Sequence, residues 1–402
     1  MWMFSETKSV ATIFQRKVSP VERLFIMLAE IESPFCNQVV LEGTGVLNES
    51  LWQNAVEEAC EANPGSRLIL KGRWIWAKWV DSGITAPIRV VDGSNWSGYE
   101  SDGAPFLFDP FPYKTSHTSE VLLVNGSPPR VIFRTLHATM DGGGTAMWVL
   151  DIFRALRKEP LVGAPSTITD KELMDSLKCQ TRDVLSAKRC LTPTGRPDGK
   201  EPGFIWKRTT LEGKFSKLLP QLALAVAKEA RQQGPGDVRV TVPLDLRKRV
   251  PDIASTANFT RRIYLEIPPE ATIDTLSRQL KEKLDHLVGD PWLGNLAIYI
   301  PMVWLKGLFI ASREKDRERG FYKDTGTISN LGKLPVELFR GGGFEAQTCF
   351  FIPPEVQAKP FFITLSGYEN RVEMITAMPR VLASKGRLDK FIANILTELK
   401  SS

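Results

Sequence analysis

The residues best suited to chemistry lie in one short run, Arg134-Thr135-Leu136-His137-Ala138-Thr139-Met140-Asp141-Gly142-Gly143-Gly144. A strand pattern over Arg130 to Leu136 ends at His137, glycines follow, and a helix is expected from Thr145 to Lys158. An imidazole with an ordinary pKa of about 6.5 accepts a proton near neutral pH, so His137 is a candidate general base. Such a base contributes on the order of 10²–10⁴ in rate when it deprotonates an amine or alcohol attacking a thioester. The resulting oxyanion needs donors, and the backbone N–H of Gly142 or Gly143 is a candidate. The glycines also allow a sharp turn and leave room for a substrate. The same residues equally suit a satisfied core histidine followed by an ordinary loop, and the spacing alone leaves both readings open. No Gly-Lys-Ser/Thr follows, so the run is not a phosphate loop.

Around this run each half of the chain mixes strands with helices. In the first half, strands are expected over Gln38 to Glu42, Arg67 to Leu70, Val121 to Val124 and Arg130 to Leu136. A helix capped by Asn48 or Ser50 runs to Asn63, with Leu51, Ala55, Val56 and Ala59 on one face. Residues 159–210 are punctuated by Pro160, Pro165, Pro193, Pro197 and Pro202 and read as a linker with a short helix from Asp170 to Arg182. In the second half, helices are expected over Phe215 to Gln232, Ile273 to Val288 and Leu388 to Leu399. Strands are expected over Val238 to Val242, Phe259 to Ile267, Gly326 to Ser329, Gly343 to Ile352, Pro360 to Ser366 and Arg371 to Ala377. The pattern is an α+β layered domain occurring twice: 1–165, a crossover at 166–210, and 211–402.

Composition narrows the function. Lys and Arg number 52 against 46 Asp and Glu, and the net charge is +6. The basic residues are scattered, without a long basic run interleaved with aromatics, which argues against a nucleic-acid partner. Five cysteines have no CxxC spacing, and the three histidines form no zinc pattern, so no metal site is expected. Reduced thiols and the lack of a signal-like N-terminus lead to a cytoplasmic expectation. The apolar stretch Gly294 to Ala311 is broken by Pro301 and Lys306 and reads as a buried helix or tunnel wall, with membrane contact as a lesser alternative. His117, in a polar loop, and His286, on the polar side of a helix, read as surface residues. Trp148 and Phe153 read as core, with tunnel lining as the alternative.

Leu136-His137-Ala138-Thr139-Met140-Asp141-Gly142 resembles the HxxxDG signature of condensation domains, alcohol acetyltransferases and related thioester-dependent acyltransferases. Asn63-Pro64-Gly65-Ser66-Arg67-Leu68 is similar to that superfamily's HPxLR segment. Val242-Pro243-Leu244-Asp245-Leu246-Arg247 is similar to its vPvdLR strand end, and Ile328-Ser329-Asn330-Leu331-Gly332 to its SNlG segment. These landmarks fall in the expected order over roughly residues 20–380. Two features depart from particular branches. Condensation domains carry two adjacent histidines, where this chain has Leu136-His137, and the DFGWG motif of plant-type members is missing.

The resemblance implies two chloramphenicol-acetyltransferase-like subdomains forming a pseudo-dimer with a tunnel between them and His137 midway along it. It implies acyl-CoA or an acyl or peptidyl carrier protein as thioester partner, with a small-molecule amine or hydroxyl as acceptor and no resident cofactor. Asp141 then supports the site by pairing with Arg247, while Ser329 and Asn330 bind substrate or shape a turn. A free-standing monomeric acyltransferase is expected. The alternatives are an enzyme forming or cyclising an amide on carrier-bound intermediates, and a condensation-like module that binds a carrier without catalysis.

Overall fold

The computed structural model describes residues 13–177, 189–250, 253–285, 299–355 and 357–401. Cys179, His286, residues 294–298 and the ends of the helices expected over 170–182 and 273–288 lie outside the described residues.

The first half contributes strands β1 (Gln15–Lys17), β2 (Cys36–Gly45), β3 (Leu68–Lys71), β4 (Lys78–Asp81), β5 (Ile88–Asp92), β6 (Ser119–Asn125) and β7 (Arg130–Leu136). Helices α1 (Pro20–Ile31), α2 (Glu49–Ala62) and α3 (Gly142–Leu156) lie among them. The remainder contributes β8 (Phe204–Glu212), β9 (Arg239–Asp245), β10 (Thr260–Glu266), β11 (Gly326–Lys333), β12 (Arg340–Gly341), β13 (Phe344–Ile352), β14 (Phe362–Tyr368) and β15 (Arg371–Pro379). With them are α4 (Asp170–Ser176), α5 (Leu218–Arg231), α6 (Ile273–Asp285), α7 (Met302–Arg319), α8 (Arg380–Ala383) and α9 (Arg387–Ser401).

These strands build two six-stranded sheets, ordered β12-β13-β2-β7-β6-β5 and β10-β9-β11-β14-β15-β8, and a small sheet β1-β4-β3. On the first large sheet, α2 begins at Asn48, whose side chain accepts the Leu51 N–H at 3.1 Å. Its 3.6-residue periodicity buries Trp52, Ala55, Val56 and Ala59 against Trp148, Ile152 and Phe153 of α3. Trp148 and Phe153 are fully enclosed there and are core residues. On the second sheet, Leu222 and Val226 of α5 and Phe391 and Ile395 of α9 cover Val240, Ile263, Ile363 and Met374.

The two sheets face each other across a third cluster: Val40, Leu122, Val124, Ile132 and Phe350 from the first, and Trp206, Ile375 and Ala377 from the second. Burying each large side chain there contributes roughly 1.5–3 kcal/mol. A charged network crosses the same contact. Arg208 reaches Glu42 at 2.5 Å and Glu373 at 2.7 Å, and Arg130 holds the other Glu42 oxygen at 2.7 Å.

Two segments pair away from their sequence neighbours. Strand β13 leaves the second half and lies antiparallel to β2, from Phe344 opposite Gly45 to Ile352 opposite Gln38. The expected 166–210 linker ends in β8, which pairs along its whole length with β15. Prolines and glycines flank β8 closely, and they hid its alternating burial. The helix expected to be buried over 294–311 is also corrected: α7 runs over Met302–Arg319 with Leu305 buried, while Val303, Trp304 and Leu308 are exposed. Among the described residues, α1 is the main element that α7 packs on, through Leu305 and its neighbours.

Candidate active site

His137 immediately follows β7, and its own N–H donates to the Phe35 carbonyl at 3.2 Å. The ring is partly exposed, stacked on Phe25 of α1 (centroids 4.4 Å apart) and Phe35 (5.3 Å). Its Nδ1 lies 3.1 Å from the Met140 carbonyl oxygen. A carbonyl only accepts, so Nδ1 carries the proton and Nε2 carries the lone pair. The Met140 oxygen is itself held by the Asn37 side-chain N–H at 2.8 Å, which fixes the loop that orients the ring. Burial lowers the His137 pKa, against the opposing pull of the Met140 carbonyl and the Asp141 charge, so the imidazole is neutral at physiological pH.

Asp141 caps α3. Its Oδ1 accepts the Gly144 N–H at 2.8 Å, and the helix starts at Gly142, three residues before the expected Thr145. The other oxygen reaches into the second half. It accepts from the Phe259 N–H (2.7 Å), the Thr260 hydroxyl (3.0 Å) and Arg247 Nη1 (3.0 Å). Arg247 also donates to the carbonyls of Ser255 (3.0 Å) and Ala257, and lies over the Phe259 ring. Burial raises the Asp141 pKa, and Arg247 with these donors outweighs it, so the carboxyl is held below its usual range. Asp245 shares the guanidinium at 3.1 Å; burial and the Asp141 charge push its carboxyl up.

The three glycines have different duties. A Cβ on Gly144 would stand 2.0 Å from the Thr256 carbonyl oxygen, and one on Gly143 would stand 2.6 Å from Asp245 Oδ2. Those two positions admit the loops of the second half. Around Gly142 the nearest atoms, from Leu331 and Phe351, are 3.9 Å from such a Cβ. Among the described residues, the N–H groups of Gly142 and Gly143 have no protein acceptor.

Ser329 is partly exposed and Asn330 exposed on β11. Asn330 accepts the Gly332 N–H at 2.9 Å and thereby shapes the turn that follows. Among the described residues no hydrogen bond joins Ser329 or Asn330 to His137; Leu331 of the same strand is the side chain beside Gly142. His117 is half-buried, against Phe111 and Ser116.

Asn258 was missed in the sequence. The residue is 3% exposed, and among the described residues neither its side-chain oxygen nor its nitrogen has a hydrogen-bond partner of good geometry. It nevertheless lies near enough to His137 to act on the imidazole's charge. Its neighbours Ala257, Phe259 and Thr260 are the ones locked to Arg247 and Asp141. A buried amide left without a partner is uncommon in a folded protein. In sequence it is one asparagine at the start of a strand, without a distinguishing signal.

The fold is that of condensation domains: two α+β halves, each a sheet with helices, with the HxxxD loop of one clamped onto the other. The first condensation domain of the CDA synthetase matches over 96% of each chain, with a TM-score of 0.67 and 13% identity. The starter condensation domain of rhizomide synthetase RzmA, in complex with C8-CoA and Leu-SNAC, covers 96% of this chain and 94% of its own (TM-score 0.61, 14% identity). The epimerization domain from the third module of tyrocidine synthetase B also matches, over 97% and 98% of the two chains (TM-score 0.58, 14% identity). No protein-family model and no curated protein matches the chain. Among the described residues no group of side chains is arranged to hold a metal ion, and no helix is long and apolar enough to cross a membrane.

Proposed function

We propose that this protein transfers an acyl group from a thioester, on CoA or on a carrier-protein phosphopantetheine, to an amine or hydroxyl. The observation that carries the reading is the fixed tautomer of His137: Nδ1 committed to the Met140 carbonyl, Nε2 left with its lone pair, at a partly exposed position on the seam between the halves. Nε2 takes the proton as the acceptor's nitrogen or oxygen bonds to the thioester carbon. The carbonyl π electrons move to oxygen, and that oxyanion is met by the Gly142 and Gly143 N–H groups and the Asn258 amide. Collapse breaks the C–S bond, and His137 returns the proton to the leaving thiolate. Asp141 and Arg247 do not touch the reacting atoms; they fix the histidine loop against the loop that carries Asn258.

The RzmA complex supports a thioester donor, since CoA and SNAC species occupy a protein of this fold. The epimerization domain has the same fold, so the fold alone does not select acyl transfer. The synthetase setting of these relatives favours amide formation on carrier-bound intermediates as a second reading.

The test is mass spectrometry of products from a panel of acyl-CoA and acyl-carrier thioesters with amine and alcohol acceptors. His137→Ala is expected to lower kcat/KM by about 10²–10⁴ with an unchanged melting temperature. Full activity in that variant removes the proposed mechanism. Turnover only with carrier-bound donors and acceptors selects the second reading. Carrier binding without any turnover would mean a non-catalytic module.

A further inference from the structure

The small sheet β1-β4-β3 carries an unusual rung. Lys17 stands opposite Lys78, and Lys78 opposite Lys71, so three lysines lie side by side across three strands. Directly opposed like charges destabilise a sheet. All three are exposed, and among the described residues none forms an ion pair. Glu172 is the carboxylate whose charge responds to Lys17, from beyond ion-pair distance.

Between Lys71 and Lys78 the chain runs Gly72-Arg73-Trp74-Ile75-Trp76-Ala77, with no acidic residue. Trp74, Ile75 and Trp76 are 49%, 43% and 70% exposed. The turn is held in a costly form. Trp74 has φ +57°, a left-handed conformation that a bulky aromatic rarely adopts. Gly72, at φ +75°, would place a Cβ 2.4 Å from the Trp76 carbonyl oxygen. A strained tip that presents two indoles and an isoleucine to water, above a row of lysines that form no ion pair among the described residues, calls for a partner that is anionic outside and apolar within.

We infer that this hairpin docks the protein on an anionic lipid bilayer surface. Tryptophan favours the headgroup boundary, where its ring is apolar and its N–H stays wet. The lysines and Arg73 lie where anionic headgroups would neutralise the rung. Helix α7 adds aliphatic and aromatic surface, with Val303, Trp304 and Leu308 exposed. It belongs to the same corner of the molecule: Glu30 of α1 pairs with Lys306 and accepts from the Tyr113 hydroxyl, and the Tyr113 carbonyl accepts the Leu70 N–H at the hairpin's base. The aliphatic content and the single short rung argue against a nucleic acid, which needs a basic track along its backbone. Phe25 of the same α1 stacks on His137, so docking here would hold the candidate active site close to a lipid phase.

The experiment is co-sedimentation of the full chain with phosphatidylcholine vesicles, with and without one-third phosphatidylglycerol, alongside a single-stranded DNA oligonucleotide in a separate binding assay. Binding is expected to the anionic vesicles alone and to weaken with added salt. Each of Lys71→Gln, Arg73→Gln and Lys78→Gln should lower partitioning about fivefold. The double substitution Trp74→Ser with Trp76→Ser should abolish partitioning and the accompanying blue shift of tryptophan emission. Both sets lie at exposed positions outside the proposed catalytic groups, so acyl transfer to soluble acceptors should be unchanged, and the melting temperature should not fall, since the lysine substitutions remove like-charge repulsion. Partitioning that ignores lipid charge or survives both sets of substitutions overturns the inference, as does binding to the oligonucleotide but not to vesicles.

Discussion

At the scale of single residues, His137 owes its readiness to two local facts, the Met140 carbonyl at Nδ1 and the aromatic walls of Phe25 and Phe35. Burial holds its pKa below the ordinary value of about 6.5. The base form therefore persists to lower pH than for a free imidazole. Log kcat/KM should rise with unit slope on the acid side, with the midpoint of that limb below about 6.5. A pH–rate profile with an acid-limb midpoint above that value would contradict the burial argument. The role of His137 could be suggested from its spacing to Asp141. Asn258 could not, because nothing local marks an asparagine whose importance lies in what the other half of the chain brings beside it.

At the scale of elements, α3 is the part that joins the halves. In its first turn, Gly144 leaves the space that the Thr256 backbone passes through, and Gly143 leaves the space taken by the Asp245 and Arg247 side chains. The sequence suggested a loop there, since glycine is a poor helix former. The Asp141 cap and the clamp from the second half override that propensity. Gly144→Ala should push the Thr256 loop outward and destabilise the protein by about 1–3 kcal/mol, with a parallel loss of activity. Gly142→Ala, which keeps its N–H and meets nothing closer than 3.9 Å, should leave the melting temperature nearly unchanged. Thermal melts of the pair, measured together, test whether the requirement for glycine is steric.

At the scale of the whole molecule, Asp141 and Arg247 link two sheets that also share Glu42, Arg208 and Glu373. Asp141→Ala leaves a guanidinium with 10% exposure short of a carboxylate, a loss of about 3–5 kcal/mol. A melting temperature equal to wild type would show that the pair does not join the halves. Asp141 also makes stability depend on pH. Its folded pKa is depressed, so its contribution is complete above the unfolded value near 3.9 and is lost as pH falls through the folded value. Acid titration of Asp141→Asn should be flatter in that range.

Many of the strands and helices, the HxxxDG run and a cap at Asn48 or Ser50 could be read from sequence, because each depends on residues within a few positions of one another; α1, β1, β4, β5 and β8 were not. The chain order could not predict β13 crossing into the first sheet, since strand pairing depends on which edges meet after folding. Nor could it reveal a lysine rung assembled from residues 17, 71 and 78, or the exposed face of α7. Local periodicity states which side of an element is apolar. Only the packed chain decides what, if anything, covers that side.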